Sequence, residues 1–200
     1  VGISADMNTG KVDYDLNSQD TLANIENIRG SKNNDTIIGN TTATVTDPLV
    51  DAVNIFEGMG GADIISGGAG NDTIYGAQAG DDLSTTDLAD NLSGGAGDDK
   101  LYGQTGDDTL SGGDGIDILD GGAGSNTADY TYLDSGTNKV TVNFTGTPGA
   151  QVYTSANVAV LSDVDTFSSI QNANGSKNND TFIMASGTTS NVIDGNDGTD

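Results

Sequence analysis

The chain has 200 residues, 34% of them hydrophobic and 5% aromatic, and carries a formal net charge of −24 from 30 acidic and 6 basic residues. It holds no Cys and no His, which excludes a disulfide framework, a thiol nucleophile, the usual general base and the commonest zinc ligand. So acidic a surface repels nucleic acid and anionic membranes, and no apolar run approaches the roughly 18 residues of a membrane span.

Low hydrophobicity and high charge would fit a disordered chain, but the acids are not used interchangeably. Of the 30, 28 are Asp, and only Glu26 and Glu57 are Glu. Asp tolerates turn backbone better, and 30 glycines point the same way.

In chain order, residues 1–29 read as a β-rich flanking or cap segment at the end of a preceding long repeat. Residues 30–57 hold degenerate repeat units: Gly30-Ser31-Lys32-Asn33-Asn34-Asp35-Thr36, a polar insertion from Asn40 to Pro48, and a weak unit Leu49–Glu57 that places Asn54 and Phe56 in the acidic and apolar positions.

Residues 58–129 are eight nine-residue units laid end to end. Gly67 to Tyr75, Gly94 to Tyr102, Gly103 to Ser111 and Gly112 to Asp120 are the clearest, each close to G-G-x-G-x-D-x-U-x with U a large apolar residue. A fixed short period predicts a solenoid. Positions one to six form a turn in which glycines bend the backbone and Asp supplies a carboxylate. Positions seven to nine suffice for one rung of a stacked sheet. Position eight faces inward (Ile65, Ile74, Leu83, Leu92, Leu101, Leu110, Leu119 and Ala128), while seven and nine face out.

Two units make one coil, so the turns should stack in two ladders, Asp63, Asp81, Asp99 and Asp117 in one and Asp72, Asp90, Asp108 and Asn126 in the other. This spacing sends Tyr75 and Tyr102 to opposite faces, leaving no aromatic platform. Turns about 4.8 Å apart bring carboxylates close enough to repel unless a hard divalent cation lies between them. Oxygen donors without soft ligands favour calcium over zinc or copper, and magnesium's small octahedral shell suits the turns less well. Three units depart from the pattern: Met59 replaces a Gly, Ala77 and Ala79 replace two, and 85–93 lacks every Gly yet keeps Asp90 and Leu92. Sites touching residues 85–90 are therefore the doubtful ones, with Asp87 a substitute ligand at most. Asn126 offers a neutral oxygen and hence a weaker site.

On these residues the array resembles the RTX, or hemolysin-type calcium-binding, nonapeptide-repeat family. The resemblance implies an all-β fold: a right-handed parallel β-roll, a β-helix solenoid with calcium in the turns, flanked by additional β segments. It further implies that the position-six carboxylate acts with carbonyls of other turn residues. Between two turns it assigns Gly95, Gly97 and Asp99 with Gly112, Asp114, Ile116 and Asp117. Over the whole array it adds Asp63, Asp72, Asp81, Asp90, Asp108 and Asn126, with turn residues Gly61, Gly68, Gly70, Gly76, Gln78, Gly80, Gly94, Ala96, Asp98, Gly103, Thr105, Gly106 and Asp107. The half-units contribute Asp35 and Asp180.

Residues 130–174 read as a β-rich cap or spacer. Lys139 to Phe144 alternates like a half-buried strand, Gly146 to Gly149 reads as a turn, and Gln151 to Leu161 alternates again. Tyr130, Tyr132, Phe144, Tyr153 and Phe167 supply apolar area. Residues 175–200 start the next array: Gly175 to Thr181 repeats Gly30 to Thr36 verbatim, 145 residues later, and Ser186–Asp194 opens new units. The chain begins at Val1 and stops inside a unit at Asp200, as a piece of a longer protein would.

One Leu or Ile per nine residues buries less than ordering those nine residues costs, so ion binding and folding are expected to be coupled. The array should stay unfolded where calcium is scarce and fold outside the cell, with export by type I secretion implied by the resemblance. Three functions fit: a structural module of a large secreted bacterial surface adhesin or stalk, which the 145-residue repeat favours; the C-terminal folding and secretion domain of a secreted protease, lipase or epimerase; and a carbohydrate-binding module. No H-E-x-x-H or G-x-S-x-G is present, and the Asp pairs keep the nine-residue register, so the chain reads as a non-enzyme. The expected partners are calcium and, through the parent protein, cell-surface or matrix polysaccharide, with no nucleic acid and no membrane insertion.

Overall fold

The computed structural model describes residues 1–15, 18–22, 25–41, 53–78, 88–135, 138–145, 149–153, 159–184 and 191–200. Its strands are short because the repeat allows one rung per unit. β1 (Ser4–Asp6), β2 (Lys11–Asp15) and β3 (Ser18–Thr21) form an antiparallel meander. β4 (Asn27–Arg29) and β5 (Thr36–Ile38) open the roll, and β6 (Ile55–Met59), β7 (Ile64–Ala69), β8 (Thr73–Ala77), β9 (Asn91–Ala96), β10 (Lys100–Tyr102), β11 (Thr109–Asp114), β12 (Ile118–Asp120) and β13 (Thr127–Asp129) continue it. A 3-10 turn at Thr131–Ser135 leads to a second meander, β14 (Lys139–Asn143), β15 (Gly149–Tyr153) and β16 (Ala159–Ser168), followed by β17 (Asn172–Asn174), β18 (Thr181–Ile183) and β19 (Ile193–Asp194).

Successive rungs alternate between two sheets, ordered β19-β17-β13-β11-β9-β7-β5-β1-β2-β3 and β18-β14-β15-β16-β12-β10-β8-β6-β4. Within the roll every pairing is parallel, because each coil re-enters its sheet in the same direction. Position eight fills the space between the sheets: Ile65, Ile74, Leu92, Leu101, Leu110, Leu119 and Ala128 are fully buried, continued by Ile37, Phe56 and Ala173. The weak unit before the array thus lends Phe56 to the core and Asn54 to the turns.

The two copies of the verbatim heptapeptide enter opposite sheets, β5 in one and β18 in the other. Both meanders reach the roll the same way: β1 lies parallel to β5 with Ala5 opposite Ile37, and β14 lies parallel to β18 with Val142 opposite Phe182. The alternation of Lys139 to Phe144 is realised, with Val140, Val142 and Phe144 buried. Tyr130 and Phe167 join them in the core. The stretch 151–161 is shared between β15 and β16, while the expected turn at 146–148 and the side chain of Tyr153 lie outside the described residues.

Candidate metal centre

Each turn bends twice. Where glycine stands at positions two and four φ is positive, as in Gly95 (114°) and Gly97 (130°), a region where an L side chain is strained. Met59 (87°) and Gln104 (71°) occupy position two with the same sign of φ and so carry that strain. Position one needs Gly for another reason. A Cβ on Gly94 would collide with Asp99 Oδ2 on one side and the Gly112 carbonyl of the next coil on the other, and Gly58, Gly67, Gly76 and Gly103 face equivalent pairs. Carboxylate and carbonyl oxygens thus converge against a bare Cα.

The aspartates stack by one repeated bond, in which the backbone N–H of each position-six residue donates to Oδ1 of its counterpart one coil further on. One ladder runs Asp35 to Asp63 (2.7 Å), Asp63 to Asp90 (2.8 Å), Asp90 to Asp108 (2.9 Å) and Asp108 to Asn126 (2.9 Å). The other runs Asn54 to Asp72 (3.0 Å), Asp72 to Asp99 (2.7 Å), Asp99 to Asp117 (2.8 Å) and Asp117 to Asp165 (3.1 Å). These ladders correct the sequence expectation, which put Asp63 with Asp99 and Asp117, and Asp72 with Asp90 and Asp108. Steps of 27 residues, from 63 to 90 and from 72 to 99, replace the expected 18 at this point.

The 27-residue step has a simple construction. β8 ends in Gly76-Ala77-Gln78, positions one to three of a turn, and the turn is completed by Leu88-Ala89-Asp90, positions four to six. Ala77 pairs with Met59 at position two, Leu88 N–H donates to the Gly61 carbonyl (3.0 Å) at position four, and Gly76 lies against Asp90. Nine residues of chain, 79–87, separate the two parts of this turn and lie outside the described residues. The turn that the 85–93 unit completes thus takes its position-one glycine from Gly76. Asp90, expected to be doubtful, sits in the ladder like its neighbours. Gly80, Asp81 and Asp87 lie outside the described residues.

The electrostatics of the second ladder explain what these turns ask for. Asp72, Asp99 and Asp117 are buried, and their Oδ2 atoms have no hydrogen-bond partner among the described residues. Burial pushes the carboxyls of Asp72 and Asp117 up to about 6 and that of Asp99 to about 8, with the neighbouring carboxylates Asp117, Asp72 and Asp98 adding to the last. Among the described residues no three carboxylates gather around one point. Each turn brings one carboxylate, and the rest of an oxygen shell has to come from carbonyls such as that of Gly112. A bare buried oxygen facing a second acceptor across a glycine fits a hard, oxygen-seeking cation such as calcium, which accepts irregular shells of carboxylate and carbonyl oxygens.

Not every expected ligand has this form. Asp35 accepts from Ile3 N–H (2.6 Å), Ser31 Oγ–H (3.0 Å) and Ser31 N–H, so both of its oxygens are engaged. Asp180 is engaged likewise by Val140 N–H and Ser176. Asn126 was expected as an oxygen ligand, but its amide oxygen takes Asp108 N–H and its nitrogen donates to the Ser169 carbonyl (3.1 Å), so it presents a donor. Asp98 and Asp107 accept the N–H of Ile116 (3.0 Å) and Ser125 (2.8 Å) one coil on, as Asn71 does for Asp98 (2.9 Å). This second rail of position-five side chains escaped the sequence reading, although Asn or Asp recurring there was its signal. The Gln78 carbonyl accepts Gln104 Nε2–H at 2.9 Å, and that of Asp114 accepts Gly97 N–H at 2.9 Å.

The shifted ladders also move the outer faces. Tyr75 and Tyr102, expected on opposite faces, are register partners on β8 and β10 and stack with centroids 4.9 Å apart and planes 12° from parallel. Each ring covers one face of the other, flanked by Glu57 and Asp120 at the same position of the adjoining strands.

A family model described as RTX calcium-binding nonapeptide repeat matches the chain in four copies, at residues 21–41, 51–83, 84–119 and 93–128. No curated protein matches it.

Proposed function

The array belongs to the RTX calcium-binding nonapeptide repeat family, which makes it a calcium-binding structural module, and we propose that it folds on meeting extracellular calcium within a secreted bacterial surface protein, an adhesin or stalk. The proposed carboxylate ligands are Asp63, Asp72, Asp90, Asp99, Asp108 and Asp117, each with its Oδ2 against the position-one glycine of its turn. Carbonyls of the stacked turns complete the shell. When bound, calcium supplies positive charge to a buried row of acceptors.

The observation that carries this reading is the row of buried Oδ2 atoms at Asp72, Asp99 and Asp117, which nothing among the described residues satisfies. Six divalent ions would take the formal charge from −24 to about −12. That relief, together with a core of one aliphatic side chain per rung, explains why folding should wait for the ion. Surface placement is supported by the two heptapeptide copies 145 residues apart, each followed by rungs of the roll, since long tandem repeats suit an extended stalk. Among the described residues no helix is long and apolar enough to cross a membrane.

Far-UV circular dichroism at neutral pH tests the coupling. In excess chelator the β signal should be largely lost and should return on adding calcium. A β signal indifferent to chelator overturns the reading.

A further inference from the structure

We propose that the ion rows are closed at their ends by hydrogen-bond donors of the chain itself, and that Asn126 in particular holds shut a latent cation site. This rests on the proposed calcium role and adds to it where the rows stop.

Inside the rows, the space at the position-one glycine is bordered by two acceptors. At Gly94 they are Asp99 Oδ2 and the Gly112 carbonyl; at Gly103 they are Asp108 Oδ2 and the Gly121 carbonyl. Two acceptors facing each other repel and call for a positive charge between them. At Gly121 the same space is bordered by Asn126 Nδ2 and the Ser169 carbonyl. The orientation of the amide is fixed by the other end of the group, because Oδ1 must accept Asp108 N–H, at 2.9 Å, to continue the ladder. The nitrogen therefore takes the place held elsewhere by Oδ2 and donates to Ser169 at 3.1 Å. Where the interior sets an acceptor against an acceptor, this end sets a donor against one.

Two other ends use the same device with different residues. Asp165 closes the second ladder, and its Oδ2 accepts the hydroxyl of the fully buried Tyr130 at 2.7 Å. Asn54 opens that ladder and donates its amide to the Glu26 carbonyl at 2.7 Å. Asp35 opens the first; its Oδ2 faces the Gly58 carbonyl across Gly30 as in the interior, but it also accepts Ser31 N–H. A donor closes the row without dependence on calcium.

Asn126→Asp converts the last place into an interior one at constant side-chain volume. Native mass spectrometry of the 200-residue chain, titrated with calcium chloride and with magnesium as control, reads the ion count directly. The wild type gives the reference count, and the variant should bind one more calcium per chain. An unchanged count in a folded variant overturns the proposal, as does a variant that fails to fold in saturating calcium, because the ion is required to take the donor's place. A wild type that binds no calcium overturns instead the reading on which the proposal stands. Tyr130→Phe supplies an independent check: it should lower the urea midpoint in calcium while leaving the calcium count unchanged, and a lowered count would show that Tyr130 serves an ion.

Discussion

Replacing Asp99 with Asn should stabilise the calcium-free protein and destabilise the calcium-bound one. Asp99 is buried, its Oδ1 accepts Asp72 N–H at 2.7 Å, and its Oδ2 has no partner. Burial, with Asp117, Asp72 and Asp98 nearby, moves its carboxyl from the ordinary 3.8 to about 8. In the unfolded chain the group ionises near 3.8, whereas the folded protein holds the proton until about 8. The stability associated with this group is therefore complete below pH 3.8 and is lost as pH rises toward 8. From 3.8 to 7, at 1.36 kcal/mol per pH unit, the loss comes to about 4 kcal/mol. This is a large share of the 5–15 kcal/mol that typically holds a domain together. Asn carries no charge and escapes the loss, and its nitrogen faces the Gly112 carbonyl as Asn126 faces Ser169. With calcium the sign reverses, because a ligand has been removed. The assay is β structure followed by circular dichroism against pH in chelator, then urea unfolding at pH 7 in calcium. The variant should keep its fold to higher pH than the wild type in chelator, match it near pH 4, and unfold at lower urea in calcium. A variant less stable than the wild type under every condition would refute the idea that the bare Asp99 carboxylate opposes folding until an ion reaches it.

Two further substitutions probe the turns. Gly94→Ala drives a methyl group into Asp99 Oδ2 and the Gly112 carbonyl; it should cost at least about 3 kcal/mol in calcium and weaken calcium binding, both measurable by urea unfolding and titration calorimetry. Met59→Gly removes a side chain from a position with φ of 87° and should gain about 1 kcal/mol, after the entropy cost of glycine, raising the thermal midpoint in calcium.

The nine-residue period made much of this molecule legible from residue types alone. The apolar eighth position named the buried residues Ile65, Ile74, Leu92, Leu101, Leu110 and Leu119, because a rung three residues long has only one side chain that faces inward. The sixth position named the aspartates, and the glycines marked where backbone must bend or approach closely. The oxygen-only donor set pointed to a hard cation before any geometry was seen.

What the period could not reveal was which turns are neighbours. The ladder steps of 27 residues exceed 18 by one whole unit, so every later residue stays in phase while its partner in the ladder changes. From that shift follow the regrouped ladders, the pairing of Tyr75 with Tyr102, and the completion of the Asp90 turn by Gly76. The ends of the rows were hidden for a similar reason, since Tyr130 meets Asp165 and Asn126 meets Ser169 across 35 and 43 residues of chain that carries no repeat signal. A periodic pattern fixes what each unit can offer, whereas hydrogen bonds between coils select the unit it is offered to, and only the folded chain makes those bonds.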